Sequence, residues 1–492
     1  MKIILDDGTL FGNDAAEDED KSILMSYFVD QASFGRFFDP ARRLEIATAR
    51  KGMGKSALLV RCAELFRDSE SATPSLVVQR VPSQLVALKE PPQGDDHTLL
   101  ENYWKQVICG AINMELAEKI GFAWNDNQLA LVESAEIAGF SGRSLVGALL
   151  SRLVGKINVG GVELTQTQRP TANHEQLLRR LDRERNSQRP IWFLLDDIDA
   201  KYQNTPRQQA VISSFISACR NLVRDTQGVG IRATLRSDVW ASLTSAEDMD
   251  KAEQYRTEIR WSATEQKLLL AQRILAYVRR THPDSEIAAR CDPERNANEL
   301  IPLAFTARMR WGQTYVPAEH VVRVLSGGRP RWMAQLCRDA GALAARLGKD
   351  VIGMNEINQA MSEFGRRRLA DLYKEHQYQF AHLAQLLECF AGGPRRFDTG
   401  QLLDHIATKY TKFVPAASQQ MIDGVPYRDD LQLARLLYKC GFINGSNEKP
   451  NHARPEFISY DARPDLLKVA TNLDDGMSWE IQPAYRNVLR ID

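Results

Sequence analysis

Eight consecutive residues, Ala49-Arg50-Lys51-Gly52-Met53-Gly54-Lys55-Ser56, hold the densest chemical signal in the chain. Gly52 and Gly54 let backbone N–H groups turn toward an anion with no Cβ in the way. Lys55 and Ser56 follow at once, so the segment fits the Walker A spacing [AG]xxxxGK[ST]. In that arrangement the lysine reaches the β- and γ-phosphates of a nucleoside triphosphate, and the hydroxyl ligates Mg²⁺. SALLVRCAELF comes next at helical spacing, and the positive end of its dipole would face the same phosphates. Ala49 through Ala57 are therefore the expected binding residues for ATP with Mg²⁺, and Ser56 is an expected metal ligand.

A second signal is Ile191-Trp192-Phe193-Leu194-Leu195-Asp196-Asp197, an apolar run that delivers two acids. Adjacent carboxylates at a strand end repel each other, and a bound cation accounts for the pair. Asp196 is the expected Mg²⁺ ligand, directly or through water, and Asp197 the group that polarises the attacking water. Asp199 is close by and receives no role. At the end of GVGIRATLRSD, Arg236 is the first choice for a residue that touches the γ-phosphate, with Thr234 and Ser237 behind it. In Gly327-Gly328-Arg329-Pro330-Arg331, Pro330 suits the first turn of a helix. Arg331, preferred to Arg329, is expected to link lid position to the state of the phosphates.

These residues need elements to hold them. LEIATA (44–49), SLVVQRV (75–81), IWFLLDDID (191–199), GVGIRATLRSD (228–238) and TEIRW (257–261) read as strands. The third is nearly all apolar, as a central parallel strand covered on both faces should be. The fourth should lie beside both the Walker A and the Walker B strands. The predicted fold is α/β, a P-loop NTPase parallel sheet with helices on both faces, then a helical lid and a C-terminal winged-helix domain. Expected boundaries are 1–261 for the core, with an N-terminal helical extension and a helical insertion at about 92–172, then 262–375 for the lid and 376–492 for the winged helix. ILMSYFVDQASFGRFF reads as one helix, with Glu17, Asp18, Glu19 and Asp20 complementing its dipole. SATE (262–265) is a capping box. FAHLAQLLECF, DTGQLLDHIATKY and DLQLARLLYKC read as three helices. GFINGSN, EFISYD and SWEIQP follow as short strands.

Composition narrows the class. A chain of 492 residues is too long for one core, because cores stop growing near about 250–300 residues. The formal charge is zero, with 63 basic and 63 acidic residues, which argues against a protein built mainly to hold duplex DNA. The seven cysteines form no CxxC pair and the eight histidines no metal-ligand cluster, so structural zinc is not expected. No run approaches the roughly 18 apolar residues of a membrane span, and the chain reads as cytoplasmic.

The set ARKGMGKSAL, FLLDDID, TLRSD and GGRPR resembles the STAND and origin-recognition branches of the AAA-like ATPases. AEDEDKSILMSYFV and GFINGSN…SWEIQPAYRNVLRI are similar to a set of bacterial P-loop ATPases. The resemblance implies an ATP-controlled switch, of a kind that acts in bacterial stress or phage defence or in DNA transactions. Asp197 stands where many relatives carry Glu, which implies slow turnover. A protein partner or homo-oligomer is expected ahead of DNA, because the third C-terminal helix opens with Asp429 and Asp430 and offers only Arg428, Arg435 and Lys439 as bases. Arg366, Arg367 and Arg368 read as a solvated helix face. Trp261 is the expected hinge before the lid, and residues 376–380 the joint between lid and winged helix.

Overall fold

The computed structural model describes residues 2–14, 16, 18–67, 75–86, 90–125, 175, 178–179, 191–200, 202–243, 249–414, 420–447, 456–460, 462–468 and 477–491. Most of the expected 92–172 insertion lies outside the described residues. Its beginning is a helix, His97–Asn125. The chain divides into two compact units. One comprises residues 30–202 and 206–260, and the other residues 1–29, 203–205 and 261–492.

The first unit is built on five strands, β1 (Leu44–Ala49), β2 (Val77–Arg80), β3 (Ile191–Leu195), β4 (Val229–Arg236) and β5 (Arg256–Glu258). Their spatial order is β2-β3-β4-β1-β5, and every neighbouring pair is parallel. β4 therefore lies between the glycine-loop strand β1 and the acidic strand β3, as its sequence position implied. Helix α1 (Lys55–Arg67) follows the loop, and α2 (His97–Asn125), α3 (Pro206–Asp225) and α4 (Ser237–Leu243) are the other longer helices of this unit. Both faces of β3 are covered because its residues alternate. Ile191, Phe193 and Leu195 join a core with α2 and α3, while Trp192 stacks on Phe66 of α1 at 3.9 Å.

A charge sits on that second face. Arg232, in the middle of β4, is fully buried and donates to the backbone carbonyls of Phe37 (2.5 Å), Asp39 (2.9 Å) and Arg42 (2.7 Å). Its guanidinium lies 4.5 Å from the Trp192 ring centroid. Burial pushes its pKa down to about 10. The residue ties the segment that enters β1 to the sheet, which fixes where the glycine loop begins.

In the second unit, α5 (Ala263–Thr281) starts at Ser262, whose side chain and Glu265 form the expected capping box. A two-stranded hairpin, β6 (Arg308–Trp311) and β7 (Thr314–Pro317), precedes α6 (Ala318–Leu325), α7 (Pro330–Arg346) and α8 (Met354–His376). The winged-helix part holds α9 (Leu383–Glu388), β8 (Arg396–Asp398), α10 (Thr399–Lys409), a hairpin of β9 (Met421–Ile422) and β10 (Val425–Pro426), α11 (Asp430–Lys439), β11 (Ile443–Asn447), β12 (Glu456–Ile458), β13 (Met477–Ile481) and α12 (Pro483–Arg486). Its sheet runs β12-β11-β13-β8 and is antiparallel.

Several readings change here. The stretch around ILMSYFV is not one helix: Lys21–Ser26 is helical, capped by Asp20, and the chain then breaks before short turns at Ala32–Phe34 and Gly35–Phe38. Residues 1–29 group with the second unit. Arg273 donates to the Phe11 carbonyl (2.6 Å), and Arg280 to that of Thr9 (2.9 Å). The lid and winged-helix residues share one continuous hydrophobic core, from Leu270 to Ile491. In residues 376–380 His376 and Phe380 are buried while Tyr378 is exposed, and Asp423 N–H donates to the Gln379 carbonyl at 2.8 Å. The arginine run is a solvated face only at Arg366, which is exposed and pairs with Glu363. Arg367 pairs with Asp339, and Arg368 is 3 % exposed against Gln335 and Asp371. No helix among the described residues is long and apolar enough to cross a membrane.

Candidate functional site

The C-terminal edge of the first unit's sheet gathers the residues singled out by type and spacing except those of GGRPR. β1 is buried along its whole length and ends at Ala49. The loop Arg50, Lys51, Gly52, Met53, Gly54 then turns into α1. Gly52 has φ +80° and Gly54 φ +98°, a region open to glycine at no steric cost. A Cβ added at Gly54 would meet nothing within 4 Å, so backbone conformation alone demands glycine there. Lys55 is 7 % exposed, while Ser56 and Ala57 are half-buried in the first turn of α1. The helix closes on the loop through Leu58 N–H to the Gly54 carbonyl at 3.0 Å.

β3 delivers Asp196 half-buried and Asp197 exposed. Asp197 adopts φ +51°, a left-handed conformation that Asp tolerates better than most residues. Thr234, fully buried on β4, joins the two acids: its hydroxyl donates to Asp196 Oδ1 at 2.5 Å and accepts the Asp197 N–H at 3.0 Å. The register explains the contact. Leu195 pairs with Ala233, so the next residue of β4 stands beside the next residue of β3.

Arg236 is held elsewhere. Its guanidinium grips Asp238 through Nε to Oδ1 (3.0 Å) and Nη2 to Oδ2 (2.6 Å). Its backbone N–H donates to Asp199 Oδ2 at 2.9 Å. Of the three polar residues at the tip of β4, Thr234 is therefore the one joined to the Asp196 carboxylate. Asp199 is 1 % exposed, and its Oδ1 has no hydrogen-bond partner. Burial pushes its carboxyl up to about 6, against the pull of the Lys55 and Arg236 charges. The sequence carried a signal for it, a third acid three residues after Asp196, but no reason to expect burial.

The second unit carries GGRPR. Gly327 and Gly328 have φ +59° and +72°, Arg329 is extended, and Pro330 opens α7. Arg329 is buried, 3.6 Å from Glu375 and stacked over Trp332 at 4.1 Å. Arg331 is half-buried and makes no hydrogen bond or ion pair among the described residues. In the winged-helix part, Asp429 caps α11 by accepting from Gln432 N–H. Two of that helix's three bases are used internally. Arg435 donates to the Pro464 carbonyl (3.2 Å), and Lys439 pairs with Asp423 (3.0 Å).

Comparison with known proteins finds distant likenesses. No protein-family model matches the chain, and no curated protein matches it in sequence. Among solved structures, it is similar to the Aeropyrum pernix ORC2 protein in ADPNP–ADP complexes at 13% identity, covering 95% of this chain and 90% of that one, with a TM-score of 0.41. It is similar to Cdc6p from Pyrobaculum aerophilum at 11% identity over 98% of both chains, with a TM-score of 0.33. For the Aeropyrum pernix ORC1 protein in complex with DNA the figures are 12% identity, 91% and 86% coverage and a TM-score of 0.32. The STAND branch has no counterpart among these.

Proposed function

We propose that the chain binds and hydrolyses ATP with Mg²⁺ as a switch, and that nucleotide state governs its assembly with a protein partner or with further copies of itself. One juxtaposition supports this reading: an anion-sized turn of left-handed glycines with a buried lysine, at the same sheet edge as two aspartates that Thr234 links through the Asp196 carboxylate and the Asp197 backbone N–H. Ala49 to Ala57 would hold the phosphates, with backbone N–H groups from the loop and α1 pointing at them. Lys55 would reach the terminal phosphates. Ser56 and Asp196 would hold Mg²⁺, which when bound neutralises developing phosphate charge. Asp197 would polarise water, and the Thr234 bridge would keep its backbone beside Asp196. Arg236 is the proposed contact at the β4 tip, and it must leave Asp238 to act. Arg331, uncommitted in the second unit, would sense the γ-phosphate, with Trp261 as hinge. The family resemblance extends the reading to bacterial stress or phage defence.

DNA binding through α11 is the weaker alternative, since Arg435 and Lys439 already serve the fold. The test is calorimetry with Mg²⁺. Lys55→Ala should weaken ATP binding by about 10- to 100-fold, the value of a charge-assisted hydrogen bond of about 1.5–3 kcal/mol. Asp197→Asn should bind ATP and fail to hydrolyse it, because the amide is a poor base. Unchanged affinity in Lys55→Ala would remove the reading.

A further inference from the structure

The β6–β7 hairpin was not visible in the helical pattern of the lid, and its two faces differ. Met309 and Val316 pair across the strands and are buried at 2 % and 4 % exposure. The pleat puts Arg308, Arg310 and Tyr315 on the other face, with Tyr315 directly across from Arg310. Both arginines are exposed, and Tyr315 is 62 % exposed. Residues Arg308–Pro317 contain no carboxylate. Neither arginine has an ion pair among the described residues, and Arg310 only reaches the Gly312 carbonyl at 3.4 Å. Some exposed arginines elsewhere, Arg290, Arg366 and Arg463, lie against acids of their own segment.

We propose that this hairpin face is a contact surface for single-stranded nucleic acid, with Arg308 and Arg310 on the phosphodiester backbone and Tyr315 stacked under a base. The Cα atoms of two residues two apart on a strand lie about 7 Å from each other, so both arginines leave the strand on the side where the ring stands free. Cationic groups that follow a backbone beside an exposed aromatic ring are what a single strand requires, since every unpaired base offers a π-face. A duplex would answer the guanidiniums but keeps its bases stacked within. An acidic peptide would leave the ring without a flat partner.

The track continues at the foot of the hairpin. Pro317 borders a cavity of about 710 Å³ also lined by Arg295, His320 and Arg323. Arg323 has no carboxylate partner among the described residues; its guanidinium donates to His320 Nδ1 at 3.3 Å. The lining carries three acids, Glu265, Glu294 and Glu319, against the three bases Lys267, Arg295 and Arg323; Glu319 pairs with Lys267 at 3.3 Å and Glu265 caps α5. A splayed nucleotide has room there, and Arg323 is the base that could meet its phosphate.

The test is fluorescence anisotropy on the full chain without nucleotide, with labelled oligothymidylate titrated across a salt series. A duplex of the same length and polyglutamate serve as competitors. Arg308→Ser/Arg310→Ser should weaken single-strand binding at least tenfold. It should also flatten the slope of log K against log salt by about 1.4, two contacts at about 0.7 each. Tyr315→Ser should cost about tenfold and leave the slope unchanged, because stacking releases no counterions. Equal melting temperatures would show that these surface changes leave the fold intact. Lys55→Ala should bind oligothymidylate like wild type, so failure of the ATP reading and failure of this one are separable. The proposal is overturned if wild type does not bind the single strand, if duplex or polyglutamate competes more strongly than the single strand itself, or if the arginine variant keeps wild-type affinity and slope.

Discussion

Two glycine turns lead into helices in this protein, one in each unit, and they are furnished in opposite ways. The Gly52–Gly54 turn enters α1 with open space where the Gly54 Cβ would be. The Gly327–Gly328 turn enters α7 with side chains already in place. A Cβ on Gly327 would lie 3.1 Å from Gln482 Nε2, and one on Gly328 3.2 Å from Gln266 Nε2. Gln482 also donates to the Val324 carbonyl at 3.1 Å, and Arg329 beside it meets Glu375. The same backbone device thus serves two ends. Left empty with a lysine beside it, the turn suits an anion. Filled by glutamines and a buried ion pair, it is a joint that binds lid and winged-helix residues into one core and leaves Arg331 projecting from it.

The largest effect should come from breaking the filled turn. Arg329→Ala strips Glu375 of its cation in a buried setting, at a cost of about 3–5 kcal/mol. Chemical denaturation should show that loss in the second unit. A comparable penalty at the empty turn would mean that the two turns are alike.

The next effect has the opposite sign. Asp199 is raised from 3.8 to about 6 by burial, so the folded protein binds its proton more tightly than the unfolded chain. Its contribution is most favourable below the unfolded value and is lost as pH rises from about 4 to about 6. Above that window the buried charge costs on the order of 3 kcal/mol. Asp199→Asn should therefore raise the melting temperature at pH 7–8 and give no gain at pH 4. Equal gains at both pH values would point to packing and not to charge.

Alanine in the two turns sharpens the comparison. Gly54→Ala and Gly327→Ala each force a left-handed alanine, a strain of about 1–2 kcal/mol. Gly327→Ala must also displace the Gln482 amide, so it should melt lower. ATP affinity should fall only in Gly54→Ala. The smallest stability change belongs to Arg331→Ala, within about 0.5 kcal/mol of wild type, because no partner is lost. Its expected signature is functional: the ratio of affinities for a non-hydrolysable ATP analogue and for ADP should move toward one.

Much of the sheet edge is legible in the sequence alone. Local order sufficed for the Walker A loop, because Gly52, Gly54, Lys55 and Ser56 are neighbours in the chain and the φ angles follow from the glycines. It sufficed for β3, whose apolar run bounds Asp196. The Arg236 choice shows where that reasoning stops. A guanidinium at a strand tip can face a ligand or an acid two residues on, and only side-chain geometry placed it on Asp238. The lid hairpin was missed because RMRWGQTYVP is short and its turn carries a single glycine, a weak signal inside a helical region.

By itself, then, the sequence determined which residues form the glycine loop, which acids end β3, and where GGRPR opens a helix. All of these depend on neighbours within a few residues. The tertiary structure decided which carboxylate is bridged by Thr234, that Asp199 is buried with one oxygen unpartnered, that Arg368 is interior, and that residues 1–29 pack with the C-terminal unit. Those outcomes depend on strand register and on surfaces far apart in the chain. Whether a charged residue is solvated, paired or buried is settled by what folds over it, and composition and spacing carry no record of that.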